Sequence, residues 1–155
     1  MLIIKKTIIA IWHTENTGKT ETIRRIAHNL MELFPDFIPV FPDSAIVPLE
    51  GDFRLIIEIN GITIGLESQG DPNTDLRGRL EELVEFHCDI IFCTTRTRGE
   101  TVRAVDNIAN DFGYNTIWTS TYQTANNHQQ MNNLKARHLI NLIQELELLN
   151  IPPNN

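Results

Sequence analysis

Cysteine is scarce in this chain of 155 residues: there are two, Cys88 and Cys93. Five positions apart along a strand they fall on opposite faces, too far from each other to bridge, so no disulfide framework is available. His87 adjoins the first thiol, but no further ligands stand at zinc-site spacings, and both cysteines read as small buried hydrophobes. A long apolar run is also missing. Met1 to Trp12 is interrupted by Lys5 and Lys6, falls short of the roughly 20 residues a membrane helix needs, and lacks a cleavage signature. We therefore expect a soluble, cytoplasmic protein that does not engage a membrane. Positive charge is in deficit as well: 13 Lys plus Arg face 20 Asp plus Glu, a formal charge of −7. Such a balance opposes non-specific binding to nucleic acid, and any basic site must be local.

What is present fits one ordinary domain. Hydrophobic residues make up 41% and charged residues 21%, and strand-like and helix-like periods alternate along the chain, the signature of a layered α/β fold. We expect a single domain over 1–150 with a short tail over 151–155. A helix from Lys19 to Phe34 carries Ile23, Ile26, Ala27, Leu30 and Met31 on one stripe, and Pro35 stops it. The segment 35–51 holds four prolines, at 35, 39, 42 and 48, among apolar residues. It reads as an irregular stretch that covers a small-molecule acceptor or meets a protein partner.

Asn60-Gly61 between Phe53–Ile59 and Ile62–Ser68 calls for a type I′ hairpin. Its register pairs Ile59 with Ile62, Ile57 with Ile64 and Leu55 with Leu66 on one apolar face, and Arg54 with Glu67 on the other. Further on, a helix is expected near 74–86, a strand over 89–94, and a helix opened by the capping-box spacing Thr97-Arg-Gly-Glu100 and closed by Gly113. A strand over 115–120 and a last helix carrying Leu134, Leu139, Leu142, Ile143, Leu146 and Leu149 complete the chain.

In open α/β sheets ligands bind beyond the carboxyl ends of the strands, and there this chain collects polar residues. The first strand runs through Trp12 into His13-Thr-Glu-Asn-Thr-Gly-Lys-Thr20, and a helix follows at once. This stretch resembles the phosphate-binding loop of the P-loop nucleoside triphosphatases and kinases, G-x-x-x-x-G-K-[ST], with His13 where the family has glycine. The resemblance implies a three-layer P-loop-like fold: a mostly parallel five-stranded sheet, one antiparallel strand from the 53–68 hairpin, and helices on both faces. It also implies that His13, Thr14, Asn16, Thr17, Gly18, Lys19 and Thr20 bind the phosphates of a nucleoside triphosphate, ATP rather than GTP, with Mg2+ on the Thr20 hydroxyl.

The hairpin leading into Glu67-Ser-Gln-Gly70 is similar to the small-GTPase arrangement, with Glu standing for Asp. That likeness places Glu67 at the end of a strand beside the first, as a metal or water ligand. The alternative reading of Glu67 is a cross-strand partner for Arg54, and Asp71 is a second candidate for the acidic role. Thr94-Thr-Arg-Thr-Arg98 offers no carboxylate to read a guanine edge. Arg96 and Arg98 there are candidate phosphate or acidic-substrate ligands, Arg96 in catalysis beside Lys19 and Glu67, or else exposed arginines at a helix start. Three functions follow: hydrolysis of the nucleotide, phosphoryl transfer to a small molecule, or nucleotide sensing without turnover.

Overall fold

The computed structural model describes residues 6–12, 18–71, 73–122, 124 and 126–149. The described elements follow the order β1 (Thr7–Trp12), α1 (Lys19–Leu33), β2 (Ile38–Phe41), β3 (Arg54–Ile59), β4 (Ile62–Glu67), α2 (Leu76–Glu85), β5 (Ile90–Thr95), α3 (Glu100–Phe112), β6 (Asn115–Ser120) and α4 (His128–Glu145). The six strands form one mixed sheet in the order β2-β3-β4-β5-β1-β6. Pairing is parallel among β4, β5, β1 and β6 and antiparallel on either side of β3, so β3 alone runs against the rest, as the hairpin predicts.

Alternation along the strands divides the core into two layers. Ile9 and Ile11 of β1, with Leu55, Ile57, Ile64, Leu66 and Phe92, pack against Ile23, Ile26 and Leu30 of α1 and Ala136, Leu139, Ile140 and Ile143 of α4. The opposite side chains, Ile8, Ala10, Ile56, Ile91 and Cys93, meet Leu80 and Leu83 of α2 and Val105 and Ile108 of α3. The period of two in the strands and 3.6 in the helices is what makes both fits possible. None of the described helices is long and apolar enough to cross a membrane.

The hairpin forms in the expected register at all six pairs from Arg54↔Glu67 to Ile59↔Ile62. Asn60 and Gly61 both take positive φ, 52° and 80°, as a type I′ turn requires. Gly65 faces α2, where a Cβ would stand 2.8 Å from Cys88 Sγ and 3.1 Å from Leu83; the missing side chain lets that helix lie close.

Four expectations are corrected. The sheet has six strands rather than five, because Ile38–Phe41 pairs with β3 as an edge strand. Its prolines read as loop punctuation, yet an edge strand tolerates a residue that cannot donate to the ladder. Second, β4 does not lie beside β1: β5 stands between them. Third, Cys88 and Cys93 share one core layer instead of lying on opposite sides. The strand begins only at Ile90, so the five-residue spacing does not run along one strand. Fourth, the helix after β5 is not opened by a Thr97 capping box. Its N-cap is Gly99, without a side-chain cap, and the preceding loop is closed by Thr101, whose Oγ1 accepts from the Arg96 N–H at 3.0 Å. Gly113 does close that helix, in the left-handed region.

Candidate functional site

The parallel strands β1, β4 and β5 end at one edge of the sheet, and there the chain brings together Lys19, Thr20, Asp52, Ser68, Asp71 and Arg96. Lys19 and Thr20 open α1 directly after Gly18, which takes φ 93° as the N-cap. A Cβ on Gly18 would stand 2.5 Å from Asn132 Oδ1, so α4 closes over the start of α1 through a nearly buried asparagine.

Lys19 is 4% exposed. Its Nζ donates to the Thr95 carbonyl at the end of β5, at 3.2 Å, and stands 3.9 Å from Asp71 Oδ1. An ammonium carries three N–H donors, and this is the hydrogen bond it makes among the described residues. Burial lowers its pKa from the ordinary lysine value; Asp71 and Asp52 pull it back up, while Arg96 lowers it further. Asp71 also forms an ion pair with Arg96, Nε and Oδ1 standing 3.2 Å apart, so one carboxylate lies between two cations. Like charges held together around a single acid create a site that an added anion would stabilise.

Next to the lysine, the Thr20 hydroxyl donates to Asp52 Oδ1 at 3.3 Å, and Ser68 Oγ donates to the same oxygen at 3.1 Å. Ser68 is fixed in turn by the Phe53 N–H, which donates to its Oγ at 2.8 Å. A threonine hydroxyl beside an exposed carboxylate is a hard oxygen pair. Mg2+ favours such donors, holding few protein ligands and keeping its remaining positions for water and phosphate. Among the described residues no three His, Cys, Asp or Glu side chains come together as a metal site.

The loop after β4 is pinned by contact with β5. Thr94 Oγ1 donates to the Ser68 carbonyl at 2.8 Å. At Gly70, a Cβ would fall 1.7 Å from the Thr94 carbonyl oxygen and 2.4 Å from its carbon. Only glycine allows the backbone to pass so near, and this passage delivers Asp71 to Lys19.

Glu67 takes no part in this cluster. It is 1% exposed and pairs with Arg54 across the hairpin, Nη2 to Oε1 at 2.7 Å and Nε to Oε1 at 2.9 Å; Arg54 also reaches Glu82 at 2.6 Å. Burial raises the Glu67 pKa and the Arg54 charge opposes the rise. The acidic positions at the lysine are Asp71 and Asp52 instead. Arg98 is exposed and does not join the Lys19–Asp71–Arg96 cluster. His13, Thr14, Asn16 and Thr17 lie outside the described residues.

Sequence reasoning missed Asp52, Asn132 and Lys135. Asp52 has no local signature, being 32 positions from the hydroxyl it meets. The two residues of α4 did carry a signal. Stepping back one turn from the core residues Ala136 and Leu139 lands on Asn132 and Lys135, polar side chains on a stripe that faces inward. Both are nearly buried, and Lys135 Nζ donates to Thr119 Oγ1 at 2.6 Å with the Tyr122 ring 4.6 Å from the ammonium. Burial lowers its pKa.

No protein-family model, curated protein or solved structure matches this chain.

Proposed function

We propose that the chain binds a nucleoside triphosphate with Mg2+ at the carboxyl edge of its sheet, ATP in preference to GTP. The observation that carries this reading is Lys19: a nearly buried ammonium at the first turn of a helix that follows β1, hydrogen-bonded among the described residues to one carbonyl. A helix N-terminus already favours anions, and a desolvated ammonium adds a point charge where screening by water is weak. Thr20 and Asp52 would hold the magnesium ion, which when bound neutralises phosphate charge and orients the terminal phosphoryl group.

In hydrolysis, a water oxygen bonds to the γ-phosphorus as the bond from that phosphorus to the bridging oxygen breaks, and the water's proton leaves to solvent. Lys19 and Arg96 would balance the charge that gathers on the equatorial and leaving oxygens. Asp71 would keep both cations in place before the ligand arrives. Support for ATP over GTP comes from the loop after β5, Arg96 to Gly99, which carries no carboxylate to accept from a guanine edge.

One observation favours a second reading, a nucleotide sensor without turnover. Glu67, the residue whose place in the sequence suits a water ligand, is held by Arg54. Calorimetric titration of ATP and GTP with Mg2+ into wild type, Lys19→Ala and Asp52→Asn tests the binding. Wild type should bind ATP, Lys19→Ala should lose it, and Asp52→Asn should lose the magnesium dependence. At a hundred times the dissociation constant the ligand adds about 2.7 kcal/mol, a rise in Tm of roughly 5–11 °C for a domain of this size. Binding without phosphate release selects the sensor; no binding by wild type removes both readings.

A further inference from the structure

On the α3 side of the same edge, a cleft of about 260 Å3 is lined by Trp12, Arg96, Thr97, Val102 and Trp118. Register explains how the two indoles meet there. Ala10 of β1 pairs with Trp118 of β6, and Trp12 lies two residues beyond Ala10, so both rings project from one face of adjacent parallel strands. They are 36% and 37% exposed, and they are the two tryptophans of the chain. An indole whose ring surface remains wet beside a charged guanidinium has little to gain from folding alone. We propose that this cleft is the subsite for an aromatic base, the base of the nucleotide whose phosphates meet Lys19; it therefore rests on the reading above.

Three features select that occupant. The cleft is smaller than the roughly 300–1,000 Å3 of pockets that enclose a whole ligand, so it suits one ring system rather than an entire nucleotide. Its lining holds two indoles, an aliphatic side chain and a guanidinium, residue types on which bases stack. Finally, it is continuous with the lysine cluster through one residue: Arg96 lines the cleft and holds Asp71, while the Thr95 carbonyl immediately before it accepts from Lys19. On this proposal one nucleotide must reach both places. The Thr97 hydroxyl is the polar group offered to a base edge, while the Arg96 guanidinium stays paired with Asp71 at the rim of the cleft.

The tryptophans are also the reporter. Their emission is followed while wild type is titrated with MgATP and, separately, with magnesium tripolyphosphate, and thermal shift is recorded for each. MgATP should change the emission; tripolyphosphate should stabilise the protein and leave the emission unmoved. Trp118→Leu should weaken MgATP by roughly 5- to 150-fold, from the usual worth of one stacked base, and leave tripolyphosphate binding as it was, while Trp118→Phe restores most of the loss. Equal affinity for the two ligands with silent tryptophans overturns the proposal and leaves the phosphate reading standing. If tripolyphosphate and MgATP both fail to bind, the phosphate reading falls and takes the proposal with it. Should Trp118→Leu not fold, the wild-type comparison alone decides.

Discussion

At Gly70 a side chain has nowhere to go: the obstacle is the Thr94 backbone, which cannot turn aside as a flexible side chain would. Gly70→Ala must push two strand ends apart, and overpacking of that kind costs about 1–3 kcal/mol. Urea unfolding should register a loss near the upper end of that range. The same displacement should carry Asp71 away from Lys19 and weaken any anion binding. Lys19 makes a separate prediction. Burial holds its pKa below the ordinary lysine value, so between the two the unfolded chain binds the extra proton and stability rises with pH. A bound oxyanion restores the charged form. Nucleotide binding should therefore take up a proton in that alkaline window, and affinity should fall as pH rises through it. Calorimetry in buffers of different ionisation enthalpy counts the proton directly; no uptake would mean that the ammonium does not face the ligand.

Among the elements, the segment between β2 and β3 is held more firmly than its prolines suggest. Arg24 of α1 donates through Nε to the Pro48 carbonyl at 2.8 Å and through Nη2 to the Gly51 carbonyl at 2.6 Å. Its guanidinium also lies 5.6 Å from the Phe53 ring centroid and pairs with Glu21. One arginine thus ties the approach to Asp52 down onto α1. Removing it in Arg24→Ala forfeits charge-assisted bonds worth about 1.5–3 kcal/mol. Limited proteolysis followed by mass spectrometry should then find faster cleavage within 43–51, with the rest of the chain protected as before.

Element boundaries were the most legible part of the sequence, since periodicity and turn chemistry are local. The hairpin register from Arg54 to Glu67 came out whole for that reason. β2 was hidden because Pro39 argues against a strand unless the strand is known to lie at an edge, and edges are a property of the assembled sheet. Of the residues gathered at the candidate site, Lys19, Thr20 and Arg96 stand where a strand–turn–helix transition draws attention to them in the sequence. Asp52 could not, since what places it is the route of 35–51 over α1. Glu67 shows the opposite case, a residue with a suggestive position whose buried neighbour Arg54 takes it.

For the whole molecule, the layer order governs which chemistry meets. Because β5 stands between β4 and β1, the last residue of β5 reaches Lys19 with its backbone carbonyl, and the loop that follows brings Arg96. The loop after β4 must instead cross β5 to deliver Asp71, and this explains both the glycine at 70 and the isolation of Glu67. The same layering has a consequence for the thiols. Cys88 and Cys93 are both fully buried between the sheet and the α2–α3 layer, and burial pushes the Cys88 thiol up to about 12 and the Cys93 thiol upward as well. An alkylating reagent can reach them only when that layer lifts, so labelling under native conditions should run slower than in urea by a factor on the order of 10³ or more. Since α1 and α4 carry no cysteine, the labelling rate is a stopwatch for one side of the sheet alone. A ligand that clamps α1 against α4 while leaving the other layer to breathe would not slow it, whereas one that also grips the mouth of α3 would.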